Sequence, residues 1–307
     1  MAEAPEDDVH ARCQRVIEAF HRWAPDEPEA PRVSGCLNEG HSNISLLLTG
    51  HRASWVLRLA RSGYVHGVDR SRELIFHGRA AAAGLAPRVL FHDLAAGILL
   101  TEFVGASTGK TPHLRSASAD PRDDPESIAA LLRAIHGLDS NLPDAQENHC
   151  ASRLDTPAYL RDWRSSLSHD PLESLDASAL RSLMECSERL TEGPVNDCLC
   201  HNDLLRANRV HDGQRLLAID WEYASLGDPY FDLANAAWEL TAVRQVELLH
   251  HYLGRREEPR EAQRFADQLR MQAAISCCWH DVRGQSELAT KARARLCNML
   301  QLKWLTN

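Results

Sequence analysis

The period of the hydrophobic pattern changes partway along the chain, and that change limits the folds open to it. Up to Val104 the apolar residues fall in short runs bounded by Gly, Pro, Asn and Asp; beyond Pro125 they recur at helical spacing. Between the two, Gly105 to Pro125 is rich in Ser, Thr, Gly, Pro and Asp and reads as a linker or mobile loop. The first region predicts an amphipathic helix over Val9 to Trp23, a break at Pro25, Pro28 and Pro31, and two short strands over Val33 to Leu48. Trp55 to Leu59 reads as a strand, Asp69 to Ala83 as a helix ending at Gly84, and Val89 to Phe91 and Ile98 to Phe103 as two more strands. In the second region Ile128, Leu131, Leu132 and Ile135 mark one face of a helix over Pro125 to Leu138. Helices are expected over Pro157 to Leu167, over Ala177 to Leu190 and from Asp232 onward, with short strands and a loop in Leu199 to Val210 and Leu216 to Ile219. The expected architecture is α+β: a strand-rich lobe over residues 1–104 and a larger helical lobe over 105–307.

Composition narrows the function classes. Hydrophobic residues at 44% and charged residues at 25% are the balance of a folded protein. The net charge of -9 speaks against broad nucleic-acid binding, which needs a basic face. The N-terminal residues are acidic and lack the apolar stretch of a signal peptide, and no run approaches the length of a membrane span, so a cytoplasmic protein is expected. The nine cysteines show no C-x-x-C spacing: Cys198 and Cys200 are two apart, and Cys277 and Cys278 are adjacent. They read as reduced, mostly buried thiols.

The densest chemical signal is His201-x-Asp203-x4-Asn208, followed by Asp220 at the end of the apolar run Leu216 to Ile219. Phosphoryl transfer asks little covalent chemistry of a protein. It needs a carboxylate to orient and deprotonate the attacking hydroxyl, and oxygen ligands that hold Mg²⁺ against the ATP phosphates. Asp203, with His201 beside it, fits the first role. Asn208 and Asp220 fit the second, because Mg²⁺ takes a few hard oxygens plus water. Taken singly, Asp203 and Asn208 also suit a turn, and Asp220 suits a helix cap.

The first lobe offers the rest of a nucleotide site. Arg58 lies inside a strand and Glu73 in the following helix, the order in which a kinase places its phosphate-binding cation and the acid that braces it. Arg in place of Lys keeps the role, because its fork can grip phosphate at two points. Gly35 to Asn43 lies between two strands without forming G-x-G-x-x-G; its backbone, with Ser42 and Asn43, can reach phosphates, or it is an ordinary hairpin. Glu102 and Val104 close the last strand before the linker, where a bilobal kinase offers backbone groups to adenine.

Cys200-His201-Asn202-Asp203-Leu204, Ile219-Asp220-Trp221-Glu222-Tyr223, Gly227-Asp228-Pro229 and Phe231-Asp232-Leu233-Ala234-Asn235 together resemble the choline/ethanolamine kinase branch of the aminoglycoside phosphotransferase-like superfamily, with thiamine kinases as close relatives. The resemblance is dense over Leu199 to Glu239 and looser over Val33 to Val104. It implies a protein-kinase-like bilobal fold, ATP and Mg²⁺, with Asp203 as base and Asn208 and Asp220 as metal ligands. It further implies that Glu222, Tyr223 and Glu239 line a pocket for a cationic alcohol, and that Trp238 and Trp279 supply aromatic walls, as suits a quaternary ammonium. Core packing is the other reading of the two tryptophans. Val282 and Arg244 stand where the family places further aromatics, so the cage departs from the choline pattern. The expected activity is phosphorylation of a small cationic alcohol. A thiamine or aminoglycoside kinase is the rival, and a catalytically silent ligand-binding relative is the alternative of another class; joint retention of Asp203, Asn208 and Asp220 argues against the last.

Overall fold

A computed structural model describes residues 6–39, 42–61, 67–105, 120–139, 153–192 and 197–301. Contacts divide the chain into two units: residues 1–118 with Arg209–Tyr223, and residues 119–208 with 224–307. The linker expectation falls mostly on residues 106–119, and the tip of the first hairpin on residues 40–41; both lie outside the described residues.

In the first unit, β1 (Arg32–Glu39), β2 (Asn43–Thr49), β3 (Ser54–Ala60), β4 (Val89–Asp93) and β5 (Ile98–Glu102) form an antiparallel sheet in the order β1-β2-β3-β5-β4. Alternation along β3 decides where its side chains go. Trp55, Leu57 and Leu59 are buried on one face, which leaves Arg58 to the other. The buried face packs with Leu48, Ile98 and Leu100 against Cys13 and Val16 of α1 (Glu6–Glu18) and against Phe20 and Trp23 beyond it. Trp23 meets Trp55 edge-on at 5.1 Å and donates its indole N–H to the Val16 carbonyl at 3.0 Å. Truncating Leu57 or Leu100 to Ala is expected to cost about 2–5 kcal/mol, since both are fully buried.

Helix α2 (Arg70–Ala82) connects β3 and β4. The Asp69 carboxylate starts it by accepting the N–H groups of Ser71 and Arg72, and Gly84, at φ 70°, follows its end in the left-handed region. Its buried stripe is Glu73, Phe76, His77 and Ala80, spaced i, i+3, i+4, i+7. An acid in that stripe points inward with the apolar residues. The hairpin β8 (Arg209–His211) and β9 (Leu216–Ala218) also belongs to this unit, whereas the sequence reading set its residues in the second lobe. Ala218 donates to the Leu85 carbonyl at 2.8 Å, and Trp221 is fully buried, its indole N–H on the Ala218 carbonyl at 3.1 Å.

The second unit is mainly helical: α3 (Pro125–His136), α4 (Thr156–Ser166), α5 (Ala177–Thr191), α6 (Pro229–Ala236), α7 (Ala242–Leu253), α8 (Pro259–Val282) and α9 (Ser286–Gln301). Asp124, Asp155, Asp176, Asp228 and Thr241 each cap a helix start by accepting backbone N–H groups. Helix α8 is buried along Phe265 to Ile275 because α4, α5, α6 and α9 all pack on it. A small sheet runs β6 (Arg153–Leu154), β10 (Ser225–Gly227), β7 (Cys198–Cys200), with β6–β10 parallel and β10–β7 antiparallel. At two and three residues, β6 and β10 are too short to show alternation and were not anticipated. Among the described residues no helix is long and apolar enough to cross a membrane.

Candidate active site

In the first unit a charged cluster gathers on the face of β3 opposite the core. The Arg58 guanidinium forms ion pairs with Glu73 of α2 and with Asp220. Arg70 donates to Glu73 at 2.9 Å and to Glu222 at 3.0 Å. Glu222 is nearly buried, and its carboxylate also accepts from Ser42 at 2.8 Å and Asn43 at 3.0 Å. Two arginines thus hold three carboxylates. Burial, and then the nearby Asp220 charge, raise the Glu222 carboxyl, while Arg70 and Arg58 pull it the other way. Asp220 adopts φ 65°, a left-handed conformation that Asp tolerates better than most side chains and that is concentrated at functional sites. Glu102 is bonded to Arg88 at the end of β5, with Val104 two residues on.

In the second unit, the segment from His201 to Asn208 is held by its backbone. Asp232 of α6, fully buried, accepts the N–H groups of His201 at 2.7 Å and Asn202 at 2.5 Å, and His136 of α3 donates to it at 3.1 Å. Asn202, at φ 62°, turns the chain there and donates its amide to Ser225 at 2.8 Å. His201 is fully buried, and its Nδ1 accepts the Asp203 N–H at 3.3 Å. The Asn208 amide nitrogen donates to the Asp203 carboxylate and to the Asp203 carbonyl, each at 2.8 Å. That bond aims the Asp203 carboxylate and turns the Asn208 amide oxygen into the atom able to ligate a cation. Arg206 anchors the loop's far end: it donates to Asp123 at 2.9 Å and Asp120 at 2.6 Å, and its N–H meets Glu239 at 3.0 Å.

The residues named for substrate recognition are divided between the two units. Glu222 and half-buried Tyr223 belong to the first unit, Glu239, Trp238 and Trp279 to the second. The Arg295 guanidinium covers the Trp238 ring at 3.8 Å, and Arg283 covers Trp279 at 3.6 Å. One face of each indole is therefore covered by a cation of the chain itself. Val282 ends α8 and is 47% exposed.

Sequence reasoning missed Arg70, His136, Arg206 and the role of Asp232. Arg70 carries a usable signal: a cation in the first turn of a helix opposes the dipole and needs a carboxylate partner. Asp232 carries another, an acid set between Phe231 and Leu233 in a run that is wholly buried.

The phosphotransferase enzyme family pattern matches residues 36–269. LicA of Haemophilus influenzae is 54% identical over 225 residues, 73% of this chain and 61% of LicA. Ethanolamine kinase 2 of Mus musculus is 30% identical over 231 residues, 68% of this chain and 57% of that one. The chain thus spans less than two thirds of the length of either relative. The crystal structure of a choline/ethanolamine kinase family protein from Mesorhizobium loti has the same fold, with TM-score 0.72 over 96% of both chains at 21% identity.

Proposed function

The chain belongs to the phosphotransferase enzyme family, and from that premise we propose that it transfers the γ-phosphoryl group of ATP to the hydroxyl of a small cationic alcohol of the choline or ethanolamine type. The observation that carries this reading is the pairing of Asp203 with Asn208 on a loop fixed by a buried carboxylate. Asp203 accepts the proton of the attacking hydroxyl; the Asn208 amide keeps its carboxylate in place and buried His201 accepts its backbone N–H. Arg58, braced by Glu73, receives the upstream phosphates, and Ser42 and Asn43 line the same cluster. The backbone at Glu102 and Val104 takes adenine. The donor set suits Mg²⁺: the Asn208 amide oxygen and the Asp220 carboxylate are hard oxygen ligands. Mg²⁺, when bound, neutralises charge on the phosphates. Dependence on ATP and Mg²⁺ is consistent with the cytoplasmic location proposed for the chain.

For the acceptor, Glu239 and Tyr223 attract the ammonium. Glu222, bonded through both carboxylate oxygens, we assign to bracing the phosphate-side cluster. With Arg295 over one face of Trp238 and Arg283 over one face of Trp279, an ammonium held by carboxylates is favoured over one caged by both rings. Ethanolamine is therefore the expected better acceptor than choline. A panel of ethanolamine, choline, thiamine and an aminoglycoside, scored by ADP release, checks this. The highest kcat/KM is expected for ethanolamine; turnover confined to thiamine or the aminoglycoside would refute the acceptor class.

A further inference from the structure

We propose that His136, Cys198 and Cys200 form a binding site for one soft divalent cation of the zinc class. All three lie in the second unit, and none is assigned a contact with ATP or the alcohol. Cys198 and Cys200 are i and i+2 on β7, so their side chains leave the same face of the strand. Their sulfurs are 3.7 Å apart. One ring nitrogen of His136 lies with them, the three donor atoms all within 4.8 Å of one another. Two thiolates on a tetrahedral zinc, with Zn–S about 2.3 Å, stand about 3.8 Å apart. The sulfurs already have that separation. A disulfide suits the pair less well: residues i and i+2 of an extended strand place their Cα atoms about 6.6–6.8 Å apart, the upper edge of disulfide geometry at about 6.8 Å.

The hydrogen bonds of His136 make Nδ1 the nitrogen that the proposed site uses. A carboxylate only accepts, so the 3.1 Å contact from Nε2 to Asp232 puts the ring proton on Nε2. Nδ1 then carries the lone pair and accepts the Tyr252 hydroxyl at 2.8 Å. A ligating histidine whose other nitrogen donates to a carboxylate is the usual outer arrangement of a zinc site. The ring is 6% exposed and the Asp232 side chain 0%, so the arrangement is protected from water. Local charge also favours a cation. The fully buried Asp232 carboxylate, bonded to His136, places a negative charge beside the three donors.

Binding forms two sulfur–metal bonds and one nitrogen–metal bond. Each thiol releases its proton to solvent, and Nδ1 gives up the Tyr252 hydroxyl, whose oxygen or a water is left for the fourth position. The ion ties α3 to β7 through His136. His136 also holds Asp232, the acceptor for the His201 and Asn202 N–H groups. A bound ion therefore stiffens the loop that carries Asp203.

The test uses the full chain, reduced and stripped with a chelator, titrated with Cd²⁺ alone. One equivalent is expected to develop the ultraviolet thiolate-to-metal charge-transfer band. Cys198→Ser and Cys200→Ser each lose it, while Cys36→Ser and Cys297→Ser keep it. Tyr252→Phe binds at least as tightly as the parent, because the competing hydroxyl is gone, and Asp232→Asn binds about 10–100-fold more weakly. X-ray absorption on the unsubstituted chain with Zn²⁺ needs no variant: it should show two sulfurs and at least one imidazole nitrogen. Absence of stoichiometric binding, a sulfur-free shell, or a band that survives in the Cys198→Ser/Cys200→Ser double variant would each overturn the site.

Discussion

The two clusters secure charged groups by opposite means. In the first unit, Arg58 and Arg70 hold Glu73, Asp220 and Glu222 through side chain to side chain ion pairs. In the second, Asp232 holds the loop through backbone N–H groups, and Asp203 is aimed by one amide. Side-chain pairs can be exchanged one for another. Arg58 can turn from a carboxylate to a phosphate without breaking the sheet. Backbone groups have no substitute partner once buried. The first cluster is therefore suited to receive a ligand and the second to keep a reacting group still.

Removing the backbone acceptor should have the larger effect. Asp232→Ala leaves the His201 and Asn202 N–H groups and His136 Nε2 buried without their acceptor. It is expected to lower stability by about 3 kcal/mol or more, at about 1–3 kcal/mol per orphaned group. Urea unfolding measures the loss, and turnover should fall to background. A loss below that of an ordinary surface change would mean the loop does not depend on Asp232.

Changes to Arg58 should be milder and graded. Arg58→Ala strands Glu73, whose side chain is 3% exposed, but Arg70 still reaches it. The expected cost is about 2–3 kcal/mol, below the full penalty for breaking a buried pair. Arg58→Lys keeps the charge and loses the fork. It should raise KM for ATP about tenfold, the worth of one hydrogen bond to a charged group, with kcat less affected. If Arg58→Lys lowered kcat alone, Arg58 would not be the phosphate-binding cation.

Acid titration should separate the units by sign, with the smallest effect. The Glu222 carboxyl is raised by burial, so its contribution to stability is full below the unfolded value of about 4.3 and is lost as pH rises through the higher folded value. Asp120 behaves in the reverse way. The hydrogen bond from Arg122 is the main cause that pulls its carboxyl down to about 2, with Arg206 assisting. Its contribution is present above the unfolded value of about 3.9 and is lost as pH falls through about 2. Solvent screening keeps the Asp120 contribution under about 1 kcal/mol. Glu222→Gln and Asp120→Asn should therefore change the slope of stability against pH in opposite directions. Parallel changes would contradict the assigned environments.

The difference between the clusters also explains what the sequence could disclose. The helix start at Pro125 was legible in the sequence, where Asp124 caps and Pro125 opens the first turn, whereas the start at Pro229 was set three residues late, at Asp232. Arg58 and Glu73 were legible through the order strand, then helix. The Asp203 to Asn208 pairing was legible because its members are five residues apart. What escaped depends on distant partners. His136 and Asp232 are separated by 96 residues, and Arg206 and Asp120 by 86, so no window contains both. The arginines over Trp238 and Trp279 escaped for a different reason. A lone Arg on a helix reads as solvated, and only packing shows that it covers a ring.

The role of Asp203 is read from phosphoryl transfer from ATP to ethanolamine, followed as formation of the phosphomonoester in the parent chain and in Asp203→Asn. The parent should make the ester, and Asp203→Asn should lose about 10²–10⁴-fold in kcat, the range for removing a general base, while ATP affinity stays within a few-fold. Transfer by Asp203→Asn at the parent's rate, or a parent that binds ATP and phosphorylates no alcohol, would contradict it.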